Sequence, residues 1–461
     1  MLDSKIASEV IAQAIELGAD FCDIFIEQND LLSLSVNDSK LHEIKSGTDF
    51  GVGVRVIFGT KALYGHTNNP TKNELIRITK TLCHVDRKNP SLSFEGNFSP
   101  TQVSNIHPFS FGLESDKTVE ERVQFLMKVD RAARSCSELI KQVSIGAFQR
   151  EQRVQIFNSE GLEASDTRRY VRITNSTVAQ DGELQSDGFF GPGASAGWEF
   201  IESLDPTEMG ERVAKQALVT LKAKPCPGGK MPVVIDNGFG GVIFHEACGH
   251  LLETTSVEKQ ASVFWDKMGE NIAHESVSAV DDGTIPGAWG SLNIDDEGMP
   301  TKKTQLIKNG KLTSFMVDRL GEMKTGHQRT GSGRRESYRY APASRMRNTY
   351  IEAGEKTLDQ LFEGVSEGIY AKEMGGGSVM PGTGQFNFAV KEAYMIRDGK
   401  LAEPVRGATL IGTGPDVLTK ISAVGNNFLL GTGMCGSVSG SIPASVGQAC
   451  IKVDEILVGG Q

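Results

Sequence analysis

Apolar residues first recur at helical spacing. In "SKIASEVIAQAIELG", Ile6, Val10, Ile11, Ala14 and Leu17 share one face, which predicts an amphipathic surface helix. "FCDIFIEQ" and "FGVGVRVIFG" are rich in β-formers and bounded by turn residues, so they read as strands. "NPTKNELIRITKTLC" returns to helical spacing through Leu75, Ile78 and Leu82, with Pro70 near its start. The polar stretch "NPSLSFEGNFSPTQVSNIHPF" reads as a connection. A further helix opens at "TVEE", where Thr118 and Glu121 fit a capping box and Val119, Val123 and Leu126 mark the buried face. Strands through "RVQIFNSEG" and "RYVRITNSTVAQ" lead to a helix capped by Asp205 with Pro206 in its first turn.

After "KPCPGGK" the texture changes to frequent glycine and short strands. "LIKNGKL" and "MIRDGKL" are near copies, each with the Asn-Gly or Asp-Gly pair of a tight hairpin. "QFNFAV" places Phe386, Phe388 and Val390 on one strand face. The pattern predicts an α+β protein: an N-terminal α/β module over 1–105, a central α+β module over 106–225, and a β-rich domain over 226–461 with one important helix near its start.

Composition narrows the function classes. The chain has 461 residues, 23% charged and 39% hydrophobic, which is an ordinary globular balance. Its 48 basic and 58 acidic residues leave a net charge of −10, which disfavours a nucleic-acid binder. Seven cysteines, none in a Cys-x-x-Cys pair, argue against a disulfide scaffold and for a reducing cytoplasm. The first residues lack the basic-then-apolar pattern of a signal peptide, and no apolar run is long enough to span a bilayer.

The chemistry concentrates in "FHEACGHLLE". His245 and His250 are five residues apart, about 140° around a regular α-helix, too divergent to share one zinc ion easily. A single π-turn would bring them to one face, and Gly249 lowers its cost. The expectation is a helix bulged or kinked between the histidines. Glu246 sits where the general base of a zinc protease helix would sit. A catalytic zinc needs a third protein ligand; Glu253, Cys248, His274, His327 and distant Cys435 are candidates, and spacing alone favours Glu253. The competing reading is two core histidines, but a glutamate beside them in an apolar helix is costly to bury without a purpose.

The chain around this motif resembles the TldD zinc metalloprotease family of the TldD/PmbA group. "GVGVRVIFG", "IFNSEGLEASDTR", "DDEGMPTKKTQLIKNGKL", "SRMRNTYIEAG", "GTGQFNF" and "GMCGSVSGSIPASVGQ" resemble family blocks in order, over nearly the whole chain. The resemblance implies one Zn2+ per chain held by His245, His250 and Cys435, with Glu246 catalytic and Glu253 behind the ligands or in the core. It also implies unfolded peptide substrates and a dimer, either of two copies or with a TldE/PmbA-like subunit. Peptide binding by β-augmentation fits exposed edge strands between 370 and 395. Two alternatives compete: a non-catalytic scaffold subunit, and a zinc hydrolase of non-peptide amides. The arginine-rich stretch 326–347 reads as a substrate-lining or interface loop or a solvated loop, and less well as a nucleic-acid surface. "DDEG" reads as a strand-end turn rather than a calcium loop.

Overall fold

A computed structural model describes residues 1–86, 92–107, 117–380 and 382–460. Parts of the polar connection expected over 89–109 therefore lie outside the described residues. The expected helices form at Ser4–Glu16, Lys72–His84, Val119–Ser135 and Pro206–Lys222. Their caps are those the sequence predicts. Thr118 and Glu121 make a reciprocal capping box, and the Asp205 carboxylate accepts from the Thr207 N–H at 2.7 Å.

Strands of both N-terminal modules join one eight-stranded sheet. Its main path runs Lys61–Thr67, Lys40–Phe58, Phe21–Asn37, Ile140–Asn158, Leu162–Asp181 and Ser99–Thr101. Period-two alternation along Phe21–Asn37 assigns its two faces. Ile24, Ile26, Leu34 and Val36 pack into the cores that contain the four long helices. Phe25 packs instead with Ile294 and Tyr338 of the C-terminal part. On the same face the Glu27 carboxylate accepts from the Tyr338 N–H at 2.7 Å.

The C-terminal part holds two more large sheets. In one, Glu367–Met380, Gly229–Ile235, Ile451–Gly459, Thr409–Thr413 and Gln385–Arg397 close into a ring, because the first and last of these also pair with each other. The other is six-stranded and ends at the hairpin Gly440–Gln448 and Leu429–Ser437, with Leu429–Ser437 outermost. One core cluster lies between these sheets and encloses Val242, Ile243, Phe244, Ala247 and Leu251. The two near-copy segments are both hairpins. Asn309 and Gly310, and Asp398 and Gly399, take positive φ at the two turn positions, as a type I′ turn requires.

Most of the arginine-rich stretch is not a solvated loop, although Arg329 and Arg339 make partly exposed ion pairs with Glu322 and Asp49. Arg334, Arg335, Arg345 and Arg347 are buried, and Arg347 pairs with Asp281 at 2.7 Å. "DDEG" is a turn that ties the two halves together. Asp296 accepts from Arg168 at 2.5 Å, and Glu297 lies 2.8 Å from Arg55. Among the described residues no helix is long and apolar enough to cross a membrane.

Candidate metal centre

The site begins where strand Gly229–Ile235 gives way to a glycine-rich turn. Gly238 has φ 61°, open to glycine at little strain, and a short 3-10 turn at Phe239–Gly241 feeds the helix Val242–Ala247. A Cβ on Gly241 would lie 2.4 Å from the Gly447 nitrogen, so the absent side chain lets this helix start against the terminal hairpin. The helix is apolar because it is buried on several sides, and His245 is buried with it.

The regular helix stops at Ala247. Cys248 leaves helical geometry at φ −136°, ψ −48°, and a 3-10 turn over Gly249–Leu252 carries His250. The distortion expected between the histidines takes the form of a break and restart, not of a π-turn. The Cys248 N–H still bonds the Phe244 carbonyl at 2.9 Å, and its own carbonyl then accepts from Leu251 and Leu252. Gly249 acts by size rather than by an unusual φ: its Cβ would lie 2.2 Å from Met346 Sδ. With the chain turned this way, the two imidazole rings sit 5.0 Å apart, nearly perpendicular.

Cys435 faces them from the outer strand of the terminal hairpin. Its Sγ lies 3.3 Å from His245 Nε2 and 3.4 Å from His250 Nε2. Tetrahedral zinc with ordinary Zn–N and Zn–S bonds separates N and S ligands by about 3.5 Å. The three donor atoms fall within 4.8 Å of one another, and among the described residues they are the one such cluster of three. Two imidazoles and a thiolate are also a suitable donor set for zinc. These residues could therefore hold the ion on geometry and chemistry alike.

The other candidates lie elsewhere or act differently. Cys248 is buried in the core, and burial alone drives its thiol far up, as suits an inert packing residue. His274 bonds Ser276, and His327 stacks edge-on against Phe315. Glu253, which spacing favoured as third ligand, turns one oxygen to His250 Nδ1 at 3.0 Å and accepts the Met346 N–H at 3.3 Å with the other. It thereby fixes the ring so that Nε2 faces Cys435.

The electrostatics follow from burial and mutual proximity. Burial pushes the Cys435 thiol up, but the two histidines outweigh it and hold it well below the ordinary value. Burial pulls His250 down, but Glu253 and Cys435 more than compensate, so its proton affinity is raised. Glu246 is mostly buried, with a carboxylate oxygen 3.9 Å from His250 Nε2; burial raises its pKa, and the two histidines oppose that rise. A neighbouring cavity of about 740 Å³ is lined by Lys372–Gly376 on one wall and Leu429–Met434 on the other. Met434 directly precedes Cys435. Trp289, which the sequence reading did not single out, donates its indole N–H to the Gly433 carbonyl at 2.8 Å and pins this strand.

Comparison with known proteins agrees along the chain. Three family models match, described as PmbA/TldA metallopeptidase domain 1 over residues 22–84, the central domain over 112–221 and the C-terminal domain over 228–460. The metalloprotease TldD homolog of Haemophilus influenzae is 37% identical over 454 residues, which cover 96% of this chain and 93% of that one. The zinc metalloprotease TldD homolog of Saccharolobus solfataricus is 28% identical over 98% of this chain and 99% of its own. The crystal structure of TldE from Thermococcus kodakarensis shares the fold with a TM-score of 0.78 at 17% identity, covering 99% of this chain and 100% of that one. The chain belongs to the PmbA/TldD family of metallopeptidases.

Proposed function

We propose that this protein is a zinc-dependent peptidase that hydrolyses unfolded, extended peptides, with His245, His250 and Cys435 as metal ligands and Glu246 as general base. The observation that carries the reading is the convergence of two imidazole nitrogens on one buried thiol at 3.3 and 3.4 Å, with a carboxylate beside them. The relatives named metalloproteases, one of them a zinc metalloprotease, support it.

Zinc held by these three ligands would polarise the scissile carbonyl and activate a water. Glu246, adjacent in sequence to His245 and close to His250, is placed to accept the water's proton and pass it to the leaving amine. Glu253 holds His250 in one tautomer and orientation throughout. Apolar packing around the helix limits solvent at the site, which strengthens these charge interactions.

The substrate path runs along the edge of Glu367–Met380. Its pairing with Gly229–Ile235 ends at the Ile235–Ala371 register, so among the described residues Gln385–Arg397 is its remaining pairing strand from Lys372 onward. The free edge borders the 740 Å³ cavity. An extended peptide can add there through backbone hydrogen bonds, which read little sequence. A second subunit of like fold, either another copy or a TldE/PmbA-like chain, would wall the path; TldE shares this fold.

The test measures metal content and cleavage of an unfolded peptide by the purified chain, alone and with a TldE-like partner. One zinc per chain, activity removed by a chelator and restored by zinc, and no turnover of small amides is the expected result. Stoichiometric zinc without peptide cleavage in either assembly would overturn the peptidase reading in favour of a scaffold or an amide hydrolase.

A further inference from the structure

The arginine-rich stretch contributes a group to this centre that its motif residues do not include. Arg345 is 0% exposed and lies at the junction of the two ligand-bearing elements. Its Nη1 donates to Ser439 Oγ at 2.9 Å and to the Gly440 carbonyl at 2.8 Å, and its Nη2 donates to the Cys435 carbonyl. All three acceptors belong to the hairpin that carries the thiol ligand, and all three are uncharged. Among the described residues, the one carboxylate within ion-pair distance of Arg345 is Glu253, 3.9 Å from its Nε. The next residue, Met346, donates its N–H to the same carboxylate and packs its sulfur against Gly249.

A buried guanidinium needs compensating negative charge. Here that charge comes from Glu253, and Cys435 belongs to the strand the guanidinium grips. We propose that Arg345 is a positioning residue of the metal centre, one that fixes the Cys435 strand against the His250–Glu253 pair and balances the charge of Glu253. This rests on the reading of His245, His250 and Cys435 as a metal site. The planar fork matters as well as the charge, because one guanidinium donates to acceptors on both sides of the hairpin turn while its Nε faces Glu253 at 3.9 Å. Without it, Glu253 keeps His250 and the Met346 N–H but loses its guanidinium, and the Cys435 strand loses one of its tethers.

The experiment uses the full chain loaded with cobalt(II), and separately with zinc(II), with affinity read by competition against a chromophoric chelator. Cobalt bound to a thiolate gives a sulfur-to-metal charge-transfer band that reports the Cys435 bond directly. Arg345→Met is expected to lower metal affinity about 10–100-fold, the usual range for groups that orient ligands, and to weaken or shift the band. Arg345→Lys restores the charge without the fork and is expected to fall between; it supplies the measurement if the methionine variant does not fold. Arg345→Lys binding within twofold of wild type with an unchanged band would overturn the role. A wild-type chain that binds cobalt without a thiolate band would instead remove the metal centre itself, and this role with it.

Discussion

Three of the residues that matter at the site are legible locally. His245, Glu246 and His250 stand out because two histidines and a carboxylate are expensive in an apolar segment. Cys435 is not legible by spacing. It lies 185 residues beyond His250, and the sheet pairing that brings it back is non-local. The residues left it one of five candidates, and the resemblance singled it out. Spacing pointed to Glu253, and three residues along this chain does bring it to His250, but to Nδ1 rather than to the donor cluster. Cys435→Ala is expected to lose bound zinc at least tenfold relative to wild type; metal analysis after gel filtration checks this, and stoichiometric zinc would exclude the thiol as a ligand. Glu253→Gln should weaken zinc about 10–100-fold while leaving the fold intact by circular dichroism.

At the element scale, the helices and hairpins follow from caps, periodicity and turn residues, which act over a few positions. The distorted histidine helix was legible as a requirement but not in its form. A π-turn and a break both bring residues five apart together; tertiary packing decides between them. Here the 3-10 turn seats Gly249 on Met346, and Gly241 seats the helix start on Gly447. The two glycines differ in what a methyl group would meet. At Gly241 it meets hairpin backbone, which cannot move aside; at Gly249 it meets the flexible end of a methionine. Gly241→Ala is therefore expected to destabilise the chain by about 1–3 kcal/mol from overpacking, and Gly249→Ala by less. Denaturant midpoints of the two variants check the order; a reversed order would show that the helix start has more room than the hairpin leaves it.

At the scale of the whole molecule, the N-terminal sheet and the C-terminal part meet through buried charge as well as apolar contact. Arg55 bonds Asp23 on its own sheet and Glu297 across the junction; Arg168 joins Asp166 and Asp296 in the same way. No local pattern announces such partners, because a buried arginine reads as a surface one until its carboxylate is known. Arg55→Met leaves Glu297 without this cross-junction cation and is expected to cost about 3–5 kcal/mol, read by denaturant unfolding. The same junction is sensitive to pH. Asp295 and Asp318 are both raised to about 7, by burial first and then by the charge of Glu297. Above pH ~4, where an unfolded aspartate has lost its proton, the folded chain still holds these protons. Their contribution is full below that value and is lost as pH rises through about 7. Thermal midpoints should fall between pH 5 and 8, and Asp295→Asn, which keeps an acceptor oxygen without the charge, should flatten that fall.

In the proposed mechanism Glu246 works on a water activated at a centre it does not itself build. The most direct measurement pairs zinc content with unfolded-peptide cleavage in Glu246→Gln, a change that preserves side-chain size and removes only the base. Wild-type zinc with cleavage reduced at least ~100-fold, the scale of a lost general base, is the expected result. Cleavage at the wild-type rate with zinc in place would contradict it.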